Sequence, residues 1–145
     1  MKRKIYISGI LILIIVAIFL FFPEFLLPPL FKSLDFPLGT LITWIGFVSF
    51  NSFFYYQYRR MITSQTSLTN ILRMCFKFLL ITSYVWGFLG YVLAANWTMT
   101  FSGSSISFRG SYNASLYYWG IIYILTISPI ILFVVTLIMK KLRRI

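Results

Sequence analysis

The placement of positive charge constrains this chain more than any other feature. Four long apolar runs divide the sequence, and eleven of the thirteen Lys and Arg residues fall in alternate gaps between them. Lys2, Arg3 and Lys4 precede the first run. Arg59, Arg60, Arg73 and Lys77 lie between the second and third, and Lys140, Lys141, Arg143 and Arg144 follow the fourth. Lys32 and Arg109 occupy the two remaining gaps. Loops rich in Lys and Arg stay on the cytoplasmic side of membrane helices, where anionic headgroups attract them. The pattern predicts an all-α integral membrane protein of the cell membrane. It is a four-transmembrane-helix bundle with both termini cytoplasmic (N-in/C-in), forming one domain over 1–145.

Composition points the same way. Of the 145 residues, 60% are hydrophobic and 10% charged, whereas a soluble domain carries about 25% charged residues. So few charges cannot cover a water-facing surface, and the chain needs lipid as solvent. The net charge of +11 does not mark a nucleic-acid binder, because the charges cluster at predicted helix ends rather than on one soluble face. The partners it implies are the bilayer itself, with anionic headgroups on the cytoplasmic side at roughly 1 kcal/mol per basic residue, and a membrane protein or a second copy of this chain.

The predicted spans are 5–22, 38–58, 78–95 and 117–139. At about 1.5 Å per residue the first covers about 27 Å, close to the hydrocarbon thickness. It reads as an uncleaved signal anchor, since it is too long for a cleaved signal and no small-x-small site follows. The outer loops are 23–37, stiffened by Pro28, Pro29 and Pro37, and 96–116; the cytoplasmic loop is 59–77. Phe25, Leu26, Leu27, Leu30 and Phe31 are too apolar for a free loop and are expected to enter the interface or pack on the other outer loop. The second half of the cytoplasmic loop is a candidate helix extension, with Ser67 or Thr69 as its cap. In the fourth span, Ser128-Pro129 predicts a kink.

The third span holds the small-xxx-small pairs Ser83/Gly87 and Gly90/Ala94, which let helix backbones approach closely. It is therefore the expected centre of the bundle. Asn51, with Ser49 and Ser52 beside it, reads as an interhelical hydrogen-bonding residue, because one Asn without polar company on the other spans makes no pathway. The second outer loop alternates apolar and polar residues on both sides of Ser102-Gly103-Ser104-Ser105, with Trp97, Met99 and Phe101 before the turn and Ile106 and Phe108 after it. That is the pattern of a small extracytoplasmic β-hairpin; an irregular Ser-rich loop is the competing reading. Trp97, Phe101, Phe108 and Arg109 are the candidate outer-loop interaction residues. Arg109 is expected to tie to Glu24 or Asp35, to hold an anionic partner, or to be solvated.

Chemistry-bearing residues are scarce. The chain has no His, and Glu24 and Asp35 are its only acids. General acid–base catalysis usually draws on His, Asp or Glu, and proton-coupled carriers place an ionisable group in the membrane. No predicted span core contains one. Haem and metal ligation of the usual His/Cys kind have no residues to use, so no cofactor is expected. No motif marks a Ser or Tyr active site. Cys75, between Arg73 and Lys77, reads as a free thiol, although juxtamembrane Cys residues are also palmitoylation sites. Asn96-Trp97-Thr98 and Asn113-Ala114-Ser115 match the glycosylation sequon, but both lie close to the membrane.

The outline of four spans resembles claudin-like and tetraspanin-like proteins in topology alone. The paired Cys of the one and the Cys-Cys-Gly of the other are absent. Small multidrug exporters depend on a Glu in their first span, which this chain lacks. No residue is carried over from any of them. The sequence therefore predicts a protein without catalytic chemistry of its own, either an accessory or interaction subunit of a membrane complex or an immunity- or stress-type membrane protein. The alternative is a small oligomeric transporter or channel for an uncharged or lipophilic solute.

Overall fold

The computed structural model describes residues 2–31, 35–62, 66–99, 101 and 108–142. Among them the chain forms four long helices: α1 (Lys2–Phe21), α2 (Leu38–Met61), α3 (Ser67–Ala94) and α4 (Tyr112–Lys141). All four are long and apolar enough to cross a membrane. The first loop adds a 3-10 turn over Pro23–Leu26 and two short strands, β1 (Pro29–Phe31) and β2 (Phe36–Pro37), paired antiparallel.

Local chemistry sets the helix ends. Pro23, which lacks an N–H, ends the first helix. A Pro37 backbone at φ −67°, ψ 146° launches α2, and the Leu38 N–H bonds the Pro28 carbonyl across the first loop at 2.9 Å. Arg59 and Arg60 close the last turn of α2, where cations offset the unpaired carbonyls. Thr66 caps α3 in a reciprocal box. Its hydroxyl accepts from the Thr69 N–H at 3.3 Å, and the Thr69 hydroxyl accepts from the Thr66 N–H at 2.9 Å. The cap is thus one residue before Ser67, and Thr69 is the box partner. α3 starts eleven residues ahead of the predicted span because the amphipathic segment carrying Arg73 and Lys77 is helical. Ser111 caps α4, so its first turn absorbs the end of the second loop.

Ring and side-chain contacts show successive helices alternating in direction. Gly9 faces Phe53 and Gly46 faces Ile15 between α1 and α2. Tyr58 meets Phe76 and Phe47 meets Trp86 between α2 and α3. Phe54 meets Phe133 between α2 and α4. The centre is α2, not the expected third span. α2 packs against all three other helices, and 39% of its apolar window is buried, against 33% in α3, 17% in α4 and 11% in α1. The buried Ser49, Asn51 and Ser52 mark its inward face. α3 brings the small residues that make its approach possible: a Cβ on Gly87 would overlap the Trp44 ring, whose indole N–H donates to the Ser83 and Tyr84 carbonyls at 3.2 and 3.0 Å.

Two hydrophobic clusters lie at opposite ends. One gathers Phe47, Trp86, Ala94, Met99, Tyr118 and Leu125 at the end carrying the α1–α2 and α3–α4 loops, the first of which holds both acids, Glu24 and Asp35; this is the loop end. The other gathers Tyr55, Tyr58, Ile62, Leu72, Phe76 and Met139. The helix termini rich in Lys and Arg surround it, making it the basic end. The predicted hairpin falls mainly on 100 and 102–107, outside the described residues.

Candidate functional site

Buried polar groups along the bundle are the natural place to look for chemistry, and their partners identify what they do. The Asn51 amide donates to the Phe47 carbonyl at 2.9 Å and to the Leu125 carbonyl on α4 at 3.2 Å. Leu125 lies four residues before Pro129, and proline has no N–H to offer it. Asn51 thus fills the gap that Pro129 opens, which is how a mid-span proline is tolerated in lipid. The helix runs through Pro129 without interruption. Thr126 and Thr136 return their hydroxyls to the Ile122 and Leu132 carbonyls at 2.8 and 2.7 Å, and Ser83 to Leu80 at 2.7 Å. The Tyr58 hydroxyl donates to the Thr69 carbonyl. These polar side chains are spent on backbone carbonyls and do not converge on a common cavity. Two buried oxygens, Asn51 Oδ1 and Thr43 Oγ1, have no partner among the described residues.

The helix-packing residues read from the sequence lie on the α3 face turned to the bundle. Ser83, Gly87, Gly90 and Ala94 are all buried. Gly90 lies under Met99, whose Cε would stand 2.8 Å from an added Cβ. The Ala94 carbonyl accepts the Arg109 N–H at 3.0 Å, tying the two ends of the second loop together.

Three of the four outer-loop candidates turn inward. Phe108 packs edge-on against Tyr118. Phe101 meets Phe19 and covers Gly39. Trp97 stacks on Tyr91 at 4.4 Å and touches Phe36 of the first loop at 5.0 Å, while the Thr40 hydroxyl donates to the Trp97 carbonyl at 2.7 Å. The first loop therefore reaches the second through Phe36, whereas Phe25, Leu27 and Leu30 remain exposed. Arg109 stays exposed and lines a polar cavity of about 290 Å³ with Asp35, Tyr91, Asn96, Trp97 and Thr98. The sequence offered Asp35 as one possible partner of Arg109; it did not add Tyr91, because the loop closure that joins them is non-local. The backbone here is strained. Asp35, Ala95 and Met99 have φ of 46°, 58° and 48°, in the region that disfavours side chains. The Asn96 side-chain Oδ1 holds this turn, accepting from the Thr98 hydroxyl at 2.7 Å and the Met99 N–H at 2.8 Å. The other sequon residue, Asn113, is exposed in the first turn of α4.

At the basic end an apolar trough of about 530 Å³ runs between α1 and α2, from Lys2, Gln57 and Arg60 to Leu13 and Phe50. Cys75 lines a separate apolar groove between α3 and α4 with Phe78, Ile124 and Ser128. No group of three or more His, Cys, Asp or Glu residues able to hold a metal occurs among the described residues. Comparison of the chain with known protein families, with curated proteins and with solved structures gives no match.

Proposed function

We propose that this protein is a multi-pass protein of the cell membrane with its basic end in the cytoplasm, acting by contact as an accessory or interaction subunit of a larger membrane complex. One observation carries the reading. The hydrogen-bonded polar side chains inside the bundle are spent on backbone carbonyls, Ser83 and Thr136 within their own helices and Asn51 also across to Leu125 on α4, and none is arranged around a path or a reacting centre. The loop end supplies the contact surface. Trp97, Phe101 and Phe108 brace it from beneath, and Arg109, Asp35 and Tyr91 present charge and an aromatic face around a polar hollow. The basic termini rest among anionic headgroups on the other side.

The test is recovery of the tagged protein from its native membrane in a mild detergent, followed by mass spectrometry. A stoichiometric larger membrane partner, lost in Arg109→Glu, is the expected result. Solute flux or turnover by the purified protein alone in liposomes overturns the reading and favours the small transporter.

A further inference from the structure

We infer that the trough between α1 and α2 at the basic end is a binding site for one anionic phospholipid. Its wall is chemically divided. Lys2 and Tyr6, one turn apart on α1, face Gln57 and Arg60, one turn apart on α2, and these four supply its polar end. Beyond them the lining is apolar: Ile5, Gly9, Leu13, Phe50 and Phe53. The order is that of a lipid, headgroup at the helix termini and acyl chain towards the middle. From Lys2 to Leu13 the helix rises about 17 Å, roughly half of a hydrocarbon core of about 30 Å, so the trough matches one leaflet. It adjoins a second apolar groove of about 200 Å³, since Ile12 and Phe50 line both.

Charge selects the occupant. Two neighbouring cations are engaged elsewhere: Lys4 lies over the Tyr56 ring at 5.2 Å and Arg59 over the Tyr55 ring at 5.9 Å. Lys2 and Arg60 face the trough without a carboxylate, because the chain's only acids, Glu24 and Asp35, sit at the loop end. An ammonium and a guanidinium at the mouth of an apolar channel suit a phosphodiester, with Gln57 and Tyr6 to donate further hydrogen bonds. Gly9 keeps the channel open. A Cβ there would meet the Phe53 ring at 3.6 Å, an ordinary contact, so alanine fits whereas a longer side chain fills the space.

The site rests on the reading of these helices as membrane spans, and not on the identity of any partner. The test is native mass spectrometry of delipidated full-length protein titrated with phosphatidylglycerol or phosphatidylcholine of matched acyl chains. One phosphatidylglycerol per chain is expected to bind in preference. Lys2→Gln/Arg60→Gln is expected to weaken it about thirtyfold, the effect of two cations at roughly 1 kcal/mol each. Gly9→Leu is expected to displace both lipids, with helix content by circular dichroism showing that the fold is kept. Lys77→Gln/Lys140→Gln removes the same charge from other helices at the same end, and should leave binding unchanged. If that control weakens phosphatidylglycerol as much as the trough variant does, or if the two lipids bind alike to the wild type, the site is refuted. A chain that does not partition into bilayers at all would instead refute the membrane reading.

Discussion

The loop end and the basic end of the bundle are closed by different means. At the loop end, side chains from non-helical segments are driven between the helices. Met99 is fully buried, and Trp97 and Phe108 pack on the aromatic rings around it. At the basic end the cluster is built from the helices and the residue that ends α2. A threonine cap, a tyrosine bonded to the facing helix and a row of outward cations finish it. The first arrangement requires a strained backbone at Asp35, Ala95 and Met99. Such strain persists only where surrounding packing over-determines it. The second uses unstrained helix termini. The contrast places conformational specificity in the loops at one end and in capping and charge at the other.

Substitutions at each end sharpen the contrast. Met99→Ala should have the largest effect, at about 2–5 kcal/mol, because it empties a core position reached from a loop. Stability against SDS in mixed micelles would show it, and a loss under 1 kcal/mol would mean that the loop is a lid over an already closed core. Gly87→Ala should cost about 1–3 kcal/mol by forcing the Trp44 ring out of its seat. Trp44 fluorescence, read in a variant without the other three tryptophans, should shift with it. Thr66→Ala, at the basic end, should cost about 1 kcal/mol by leaving helix N–H groups uncapped. Hydrogen exchange should speed up in the first turn of α3 and nowhere at the loop end.

The smallest effect is the most diagnostic. Asn51→Ala should cost about 0.6 kcal/mol, typical of one hydrogen bond between membrane helices. The same change in a Pro129→Ala background should cost less, since residue 129 then supplies the N–H that Leu125 lacks. Equal losses in both backgrounds would detach Asn51 from the proline.

The four apolar runs were legible because lipid as a solvent demands them. Their ends were not. Arg73 and Lys77 lie outside the predicted apolar span, in the segment read as a candidate helix extension; a helix with one apolar face accepts them on the other, and α3 does extend back to Ser67. The third span looked central because glycine and alanine mark close approach. They mark only who approaches: Gly87 is the socket, while Trp44 on α2 is what enters it. Ser49, Asn51 and Ser52 carried the signal for α2 as the centre, but its many aromatic residues obscured it. The strand pair in the first loop left little trace, since three prolines read as stiffening rather than pairing, yet Pro29 sits opposite Pro37. Scarcity of acids singled out Asp35 as a possible partner of Arg109, but the addition of Tyr91 to that cavity depends on contacts distant in sequence, which no local pattern encodes.

The difference between the ends has meaning only if they face opposite sides of a membrane. Single cysteines placed at the exposed positions Tyr112 and Lys141 in a Cys75→Ser background, labelled with a membrane-impermeant maleimide, test this directly. Labelling of Tyr112→Cys in intact cells, with Lys141→Cys labelled only after permeabilisation, is the predicted result. The reverse pattern, or equal labelling of both in intact cells, would contradict the account.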